Sequence, residues 1–210
     1  MTDDDYADLF FDESSEVRIT RRNLPHWNQE GKLYFVTWRL GDSLPQVVLA
    51  QLRADRAAWL RRYGNKPLSE MEYSIQREWY RLFDHRVQVW LDAGSGSCVL
   101  RRPEARKIMV DALHHFNGQR YQLGTFAVAG NHVHVLVAPQ TGFELSGVMH
   151  SWKSFTANAI NKRLGLTGKL WRPESFDWIV RNEVHLGRIE RYIRAHDLQG
   201  AYGESRDLRG

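Results

Sequence analysis

The chain has 210 residues, 42% hydrophobic and 26% charged, the ordinary balance of a soluble globular protein of one domain, plain or elaborated. No apolar run approaches bilayer length, the acidic start is unlike a signal peptide, and the lone Cys98 excludes an internal disulfide or a cysteine-based zinc cluster. A cytoplasmic protein with no membrane partner is therefore expected.

In chain order, residues 1–17 form an acidic arm: seven of the 25 acids and no Lys or Arg fall in residues 1–16. The arm is expected to be disordered, with the capacity to fold over the basic body and compete with nucleic acid. The remainder holds 29 basic against 18 acidic residues, and the chain has eight Trp and eight Tyr. Such a body fits a nucleic-acid partner that offers phosphates and stackable bases; a merely solvated basic surface is the alternative. Arg21, Arg22, His26 and Trp27 make a basic-aromatic cluster suited to holding a single strand by charge and stacking.

Residues 32–40 alternate and favour a first strand. Residues 44–63 and 69–91 have helical spacing, the second opened by a Ser69–Glu72 capping box, with a turn at Gly64-Asn65-Lys66-Pro67 between them. Together they read as an inserted helical hairpin over about residues 44–92, with Arg53, Arg56, Arg61, Arg62, Arg77, Arg81 and Arg86 largely on its exposed sides. Gly94-Ser95-Gly96-Ser97 reads as a flexible loop, and residues 98–100 as a short strand.

A helix follows, entered at Pro103 and buried through Ile108, Met109, Ala112, Leu113 and Phe116. Residues 121–129 and 132–139 are two strands joined by a tight turn at Gly130-Asn131. A long helix over 144–164 puts Leu145, Val148, Trp152 and Phe155 on one core stripe and Lys153 one position round, toward DNA phosphate or solvent. Lys162, Arg163, Lys169 and Arg172 surround the break at 165–168, where backbone phosphate is the expected contact. Trp171 and Trp178 are read as packing against the last helix, which Asn182 caps and which runs to about residue 197. This order predicts an α+β fold: a ferredoxin-like antiparallel sheet with helices on one face, an inserted helical hairpin and a C-terminal tyrosine-bearing helix. The other sheet face is expected to be open to ligand. The domain spans residues 18–200, followed by a tail over 201–210.

Within Asn131-His-Val-His-Val-Leu-Val-Ala138, alternation along a strand points His132 and His134 to one face. Two imidazoles there are half of a divalent-metal site or a half-exposed pair on a solvated face. In the last helix, Leu186, Ile189 and Ile193 form the core stripe, and Tyr192 and His196 stack four apart at its edge. A tyrosine can attack a phosphodiester polarised by a metal. An amphipathic tyrosine at a core edge and a histidine favoured by the helix dipole are the alternatives.

Asn131-His-Val-His-Val-Leu-Val, Ser151-Trp-Lys-Ser-Phe-Thr-Ala157, Leu170-Trp-Arg-Pro-Glu-Ser-Phe-Asp177 with Ile179-Val-Arg-Asn182, and Tyr192-Ile193 together resemble the single-tyrosine HUH transposases. The closer resemblance is to the REP-associated tyrosine transposases, over about residues 20–200. It implies a nuclease domain that cuts single-stranded DNA beside hairpins, leaving a 5′-phosphotyrosine and a free 3′-hydroxyl. It further implies Tyr192 as nucleophile, His132, His134 and His196 as ligands of a divalent metal (Mg2+ or Mn2+), and action as a monomer or a homodimer. Three departures stand out: Gly130 in place of proline, His196 where Asn or Gln is expected, and Asp197 where a proline often follows. A third imidazole softens the donor set, so better use of manganese than of magnesium is expected. Other readings are a replication initiator or relaxase, and a binding module that grips hairpin DNA or RNA without cutting.

Overall fold

The structure, a computed structural model, describes residues 8–21, 25–64, 71–196 and 202–204. A hairpin of β1 (Arg18–Arg21) and β2 (Pro25–Asn28) precedes β3 (Tyr34–Leu40). The insertion then folds as α1 (Gln46–Tyr63), α2 (Tyr73–Trp79), a π-helical turn (Tyr80–His85) and α3 (Arg86–Asp92). A 3₁₀ turn (Val99–Arg101) leads to α4 (Pro103–His115), β4 (Tyr121–Val128) and β5 (His132–Pro139). After these come α5 (Leu145–Leu164), β6 (Trp171–Ile179), α6 (Glu183–Ala195) and β7 (Tyr202–Glu204).

The main sheet is antiparallel with strand order β6-β3-β5-β4-β7. Leaving out β7, α4 joins β3 to β4 and α5 joins β5 to β6, so the core is βαββαβ with the strand order of a ferredoxin-like sandwich. The α+β class is as expected, but the fourth strand is β6 rather than residues 98–100. At those three residues Cys98 takes a left-handed conformation (φ 48°) and the chain turns instead. Residues 202–204 of the expected tail add a strand beside β4.

One sheet face is sealed by α4 and α5. Trp38 of β3 stacks on Trp152 of α5 at 5.8 Å, and Trp152 Nε1 donates to the Tyr121 hydroxyl, which donates to the Leu113 carbonyl. Aromatic pairs of this kind add about 0.5–1.5 kcal/mol beyond the area they bury. Trp171 packs here too, its Nε1 donating to Thr156 Oγ1, rather than on the last helix as expected. Phe155, placed on the core stripe by its spacing, is 56% exposed, because α5 meets the sheet through Trp152, Thr156 and Ile160 instead.

The second face is not the open surface expected. Leu33, Phe35, Leu136 and Ala138 are covered by Ile189 and Ile193 of α6 and by Phe10. Asn182 caps α6, its side chain accepting from the His185 backbone N–H, so the helix is anchored where it meets this face. Residues 8–16 of the acidic segment are docked rather than loose: Phe11 N donates to Val180 O, and Leu33 N donates to Leu9 O. The Leu9-Phe10-Phe11 triplet supplies the apolar surface that an arm of acids alone would lack. The segment before Asp8 lies outside the described residues.

Candidate metal and tyrosine centre

α6 covers the second face only toward the Leu136 end of β5, and the functional side chains gather at the other end. Thr37 pairs with His134 across β3 and β5, and Arg39 with His132, so all four project from the same sheet face. From above, α6 brings Tyr192 and His196, and the insertion brings Asp92 at the end of α3. One nitrogen or oxygen from each of Asp92, His132, His134 and His196 lies within 4.8 Å of the others.

The rings are aimed by their second nitrogens. His134 Nδ1 is 2.7 Å from Thr37 Oγ1, and His132 Nδ1 is 2.7 Å from Asn131 Oδ1. Asn131 is itself held by donating from Nδ2 to the Ser95 carbonyl. His196 Nδ1 bonds the Tyr192 carbonyl at 3.0 Å, which turns its Nε2 toward Asp92 Oδ1 at 3.1 Å. All three Nε2 atoms thus face the centre. His132 Nε2 is buried and makes no hydrogen bond, with Asp92 Oδ1 at 3.6 Å. The Tyr192 hydroxyl sits 3.2 Å from His134 Nε2 and 3.2 Å from Gln88 Oε1.

The protonation preferences agree with this geometry. Burial brings the His132 imidazole down to about 4, Asp92 opposing the shift and His196 adding to it. Burial, followed by His132 and His196, holds His134 well below the ordinary histidine range. For His196 burial acts downward, but the Asp92 hydrogen bond and nearby backbone carbonyls prevail and raise it. The Tyr192 phenol is pushed up, first by burial and then by the Asp92 carboxylate. Two imidazoles kept neutral by burial, one of them with an orphaned Nε2, and a third imidazole paired with a carboxylate oxygen are a donor set that fits a divalent transition-type cation.

Beside this cluster, on the same face, Arg39 is half-buried and donates to Ser43 Oγ at 3.0 Å. Burial, then the positive charge of Arg172, brings its guanidinium down to about 10. Two guanidiniums this close create local positive potential that suits an anion.

Sequence reasoning placed the three histidines and Tyr192, and they converge. It missed Asp92, Gln88, Thr37, Asn131 and Arg39. Asp92 did leave one signal: a carboxylate in the last turn of a helix runs against the helix dipole, a local conflict of the sort that marks functional positions.

The residues expected to meet DNA fall into two groups that the fold keeps apart. Lys162, Arg163 and Lys169 are exposed at the end of α5 and the start of β6, with Arg172 half-buried. Trp171 pairs with Leu40, which puts this group at the same end of the sheet as His132. Lys153 Nζ donates to the carbonyls of Arg172 and Pro173, bracing that edge. Of the other group, Trp27 lies on β2, near the start of β3, where Gln29 N donates to the Tyr34 hydroxyl. Tyr34 and Leu40 are six positions apart along the strand, a distance of roughly 20 Å. Trp27 there is half-buried, 5.8 Å from the Phe11 ring. Arg22 and the side chains of Arg21 and His26 lie outside the described residues.

A ferredoxin-like domain that assembles strand histidines, a helix histidine and a helix tyrosine around one point defines the class. Within this chain, residues 102–196 match the profile of the IS200-like transposase family, a stretch that holds His132, His134, Tyr192 and His196. Among curated proteins none matches the chain. Among solved structures it is similar to a REP-associated tyrosine transposase bound to a REP hairpin, at 15% identity and TM-score 0.39, over 86% of this chain and 73% of that one. It is similar also to a Deinococcus radiodurans R1 protein described as a transposase, at 14% identity and TM-score 0.34, over 84% and 95%. Among the described residues no helix is long and apolar enough to cross a membrane.

Proposed function

We propose that this protein is a transposase that cuts and rejoins single-stranded DNA beside a hairpin, through a covalent bond between Tyr192 and a 5′-phosphate. The observation that carries the reading is the 3.2 Å approach of the Tyr192 hydroxyl to His134 Nε2 inside a cluster of four cation-ligating groups.

In this reading Tyr192 Oη forms a bond to phosphorus, the phosphorus–O3′ bond breaks, and the phenol proton passes to a neighbouring acceptor. The released 3′-oxygen takes up a proton and later reverses the attack to rejoin strands. His132, His134, His196 and Asp92 hold a divalent cation, manganese better than magnesium. When bound, that cation supplies positive charge that polarises the scissile phosphate and offsets the Asp92 carboxylate beside the phenol. The half-buried position of Tyr192 limits competition from bulk water at phosphorus. Arg39 and Arg172 take the non-bridging oxygens of the strand, and Lys162, Arg163 and Lys169 its further phosphates. Arg21, Arg22, His26 and Trp27 hold the hairpin foot or guide strand at the far end of the sheet. The hairpin preference rests on the sequence motifs shared with REP-associated transposases.

Covalent capture tests this reading. A hairpin oligonucleotide with single-stranded flanks, drawn from palindromes beside the gene, is incubated with the protein and Mn2+ and run on a denaturing gel. A slower protein band that is absent in Tyr192→Phe is expected. Tight binding with no adduct would instead leave a module that grips DNA without cutting it.

A further inference from the structure

The inserted hairpin lies outside the stretch matched by the family profile, yet its last helix enters the centre at two points. Gln88 and Asp92 are four apart on α3, hence on one face and one turn from each other. Asp92 Oδ1 meets His196 Nε2 at 3.1 Å, and Gln88 Oε1 meets the Tyr192 hydroxyl at 3.2 Å. The π-helical turn over Tyr80–His85 immediately precedes them. Such a turn takes in one extra residue and rotates the succeeding helix by about 100°, so it sets the phase that aims both side chains inward.

A phenol has one proton, and here three acceptors lie within reach of it: His134 Nε2, Gln88 Oε1 and the Asp92 carboxylate. A cation at the centre would take the Nε2 lone pair of His134, with Nδ1–H then donating to Thr37 Oγ1. Once that lone pair and the Asp92 carboxylate are both committed to a cation, Gln88 Oε1 is the acceptor left to hold the Tyr192 hydroxyl.

We infer that Gln88 is the positioning residue for the nucleophile: it holds the Tyr192 phenol at the site edge while His134 serves the cation. Helix α3 thereby ties the two halves of the site together, Asp92 on the cation and Gln88 on the nucleophile. The insertion is a working part of the centre. This inference rests on the proposed role of Tyr192 as nucleophile.

Three proteins decide it: wild type, Gln88→Leu, which keeps volume but removes the acceptor, and Gln88→Glu, which restores an oxygen. With the flanked hairpin oligonucleotide and Mn2+, Gln88→Leu is expected to slow single-turnover adduct formation about tenfold or more at saturating DNA. The DNA concentration giving half the maximal rate and the Mn2+ affinity should stay within about twofold, and Gln88→Glu should recover most of the rate. A second readout needs no cleavage. With tyrosine labelled by 13C at Cζ, the Tyr192 resonance of the Mg2+-loaded protein should move between wild type and Gln88→Leu and return toward wild type in Gln88→Glu. Equal adduct rates and an unmoved resonance would overturn the role of Gln88 while leaving Tyr192 as nucleophile. A moved resonance in a protein that forms no adduct would uphold the contact and refute the cleavage chemistry.

Discussion

His196 and Asp92, 104 residues apart in the chain, meet at 3.1 Å between Nε2 and Oδ1. The contact joins the tyrosine helix to the inserted hairpin, and the same carboxylate oxygen stands 3.6 Å from His132 Nε2. Each histidine is buried while Asp92 is partly exposed, so the carboxylate forms the solvent-facing wall of the cluster.

Asp92→Ala is accordingly expected to weaken Mn2+ binding at least about tenfold while leaving the secondary structure intact, as read by calorimetric titration and circular dichroism. The wild type should bind Mn2+ more tightly than Mg2+, since three imidazoles outnumber one oxygen in the donor set. Equal affinity for both ions, unchanged in His196→Gln, would contradict this donor assignment.

Thr37 has no sequence signal of its own, yet its hydroxyl fixes the His134 ring at 2.7 Å. Thr37→Val keeps the shape and removes the hydrogen bond. Loss of an orienting partner of this kind costs about 10–100-fold in metal affinity. The titration should show such a fall with little change in melting temperature. An affinity equal to wild type would mean that packing alone orients the ring.

How much of this centre could be read in the chain depends on whether each residue sits on a periodic element. His132 and His134 lie on a strand whose apolar partners alternate strictly, and Tyr192 and His196 on an amphipathic, capped helix; period alone assigns their faces. β6 was missed because Trp171-Arg-Pro-Glu-Ser-Phe-Asp-Trp-Ile179 carries a proline, charges and a register shift against β3. Those features are tolerated on an edge strand, and they erase the alternation. Asp92 and Gln88 reach the centre only through the packing of an insertion phased by a π-helical turn, and beyond the misplaced acid at the end of α3 no local pattern announces them.

Arg39 projects beside His132 with Arg172 as neighbour, an arrangement with a measurable salt signature. Arg39→Ala should weaken hairpin binding at low salt. It should also reduce the slope of log affinity against log salt by about 0.7–0.9, the value for one lost phosphate contact. A weaker affinity with an unchanged slope would assign Arg39 to structure.

Gly96 secures the loop that presents Ser95 to Asn131. Its φ is +89°, and a Cβ there would come within 2.5 Å of the Asp42 backbone oxygen. Gly96→Ala is expected to destabilise the fold by about 1–3 kcal/mol in urea denaturation. It should also loosen metal binding through Asn131 and His132. Stability equal to wild type would mean that the loop shifts freely.

The most direct test of the whole account is the chemical identity of the residue that carries DNA. After reaction with the flanked hairpin and Mn2+, nuclease trimming and trypsin digestion, the fragment Tyr192-Ile193-Arg194 should be recovered with a nucleotide on its phenol oxygen. Attachment at any other side chain, or recovery of that fragment unmodified from protein that has cut its DNA, would contradict the assignment of Tyr192 as the nucleophile.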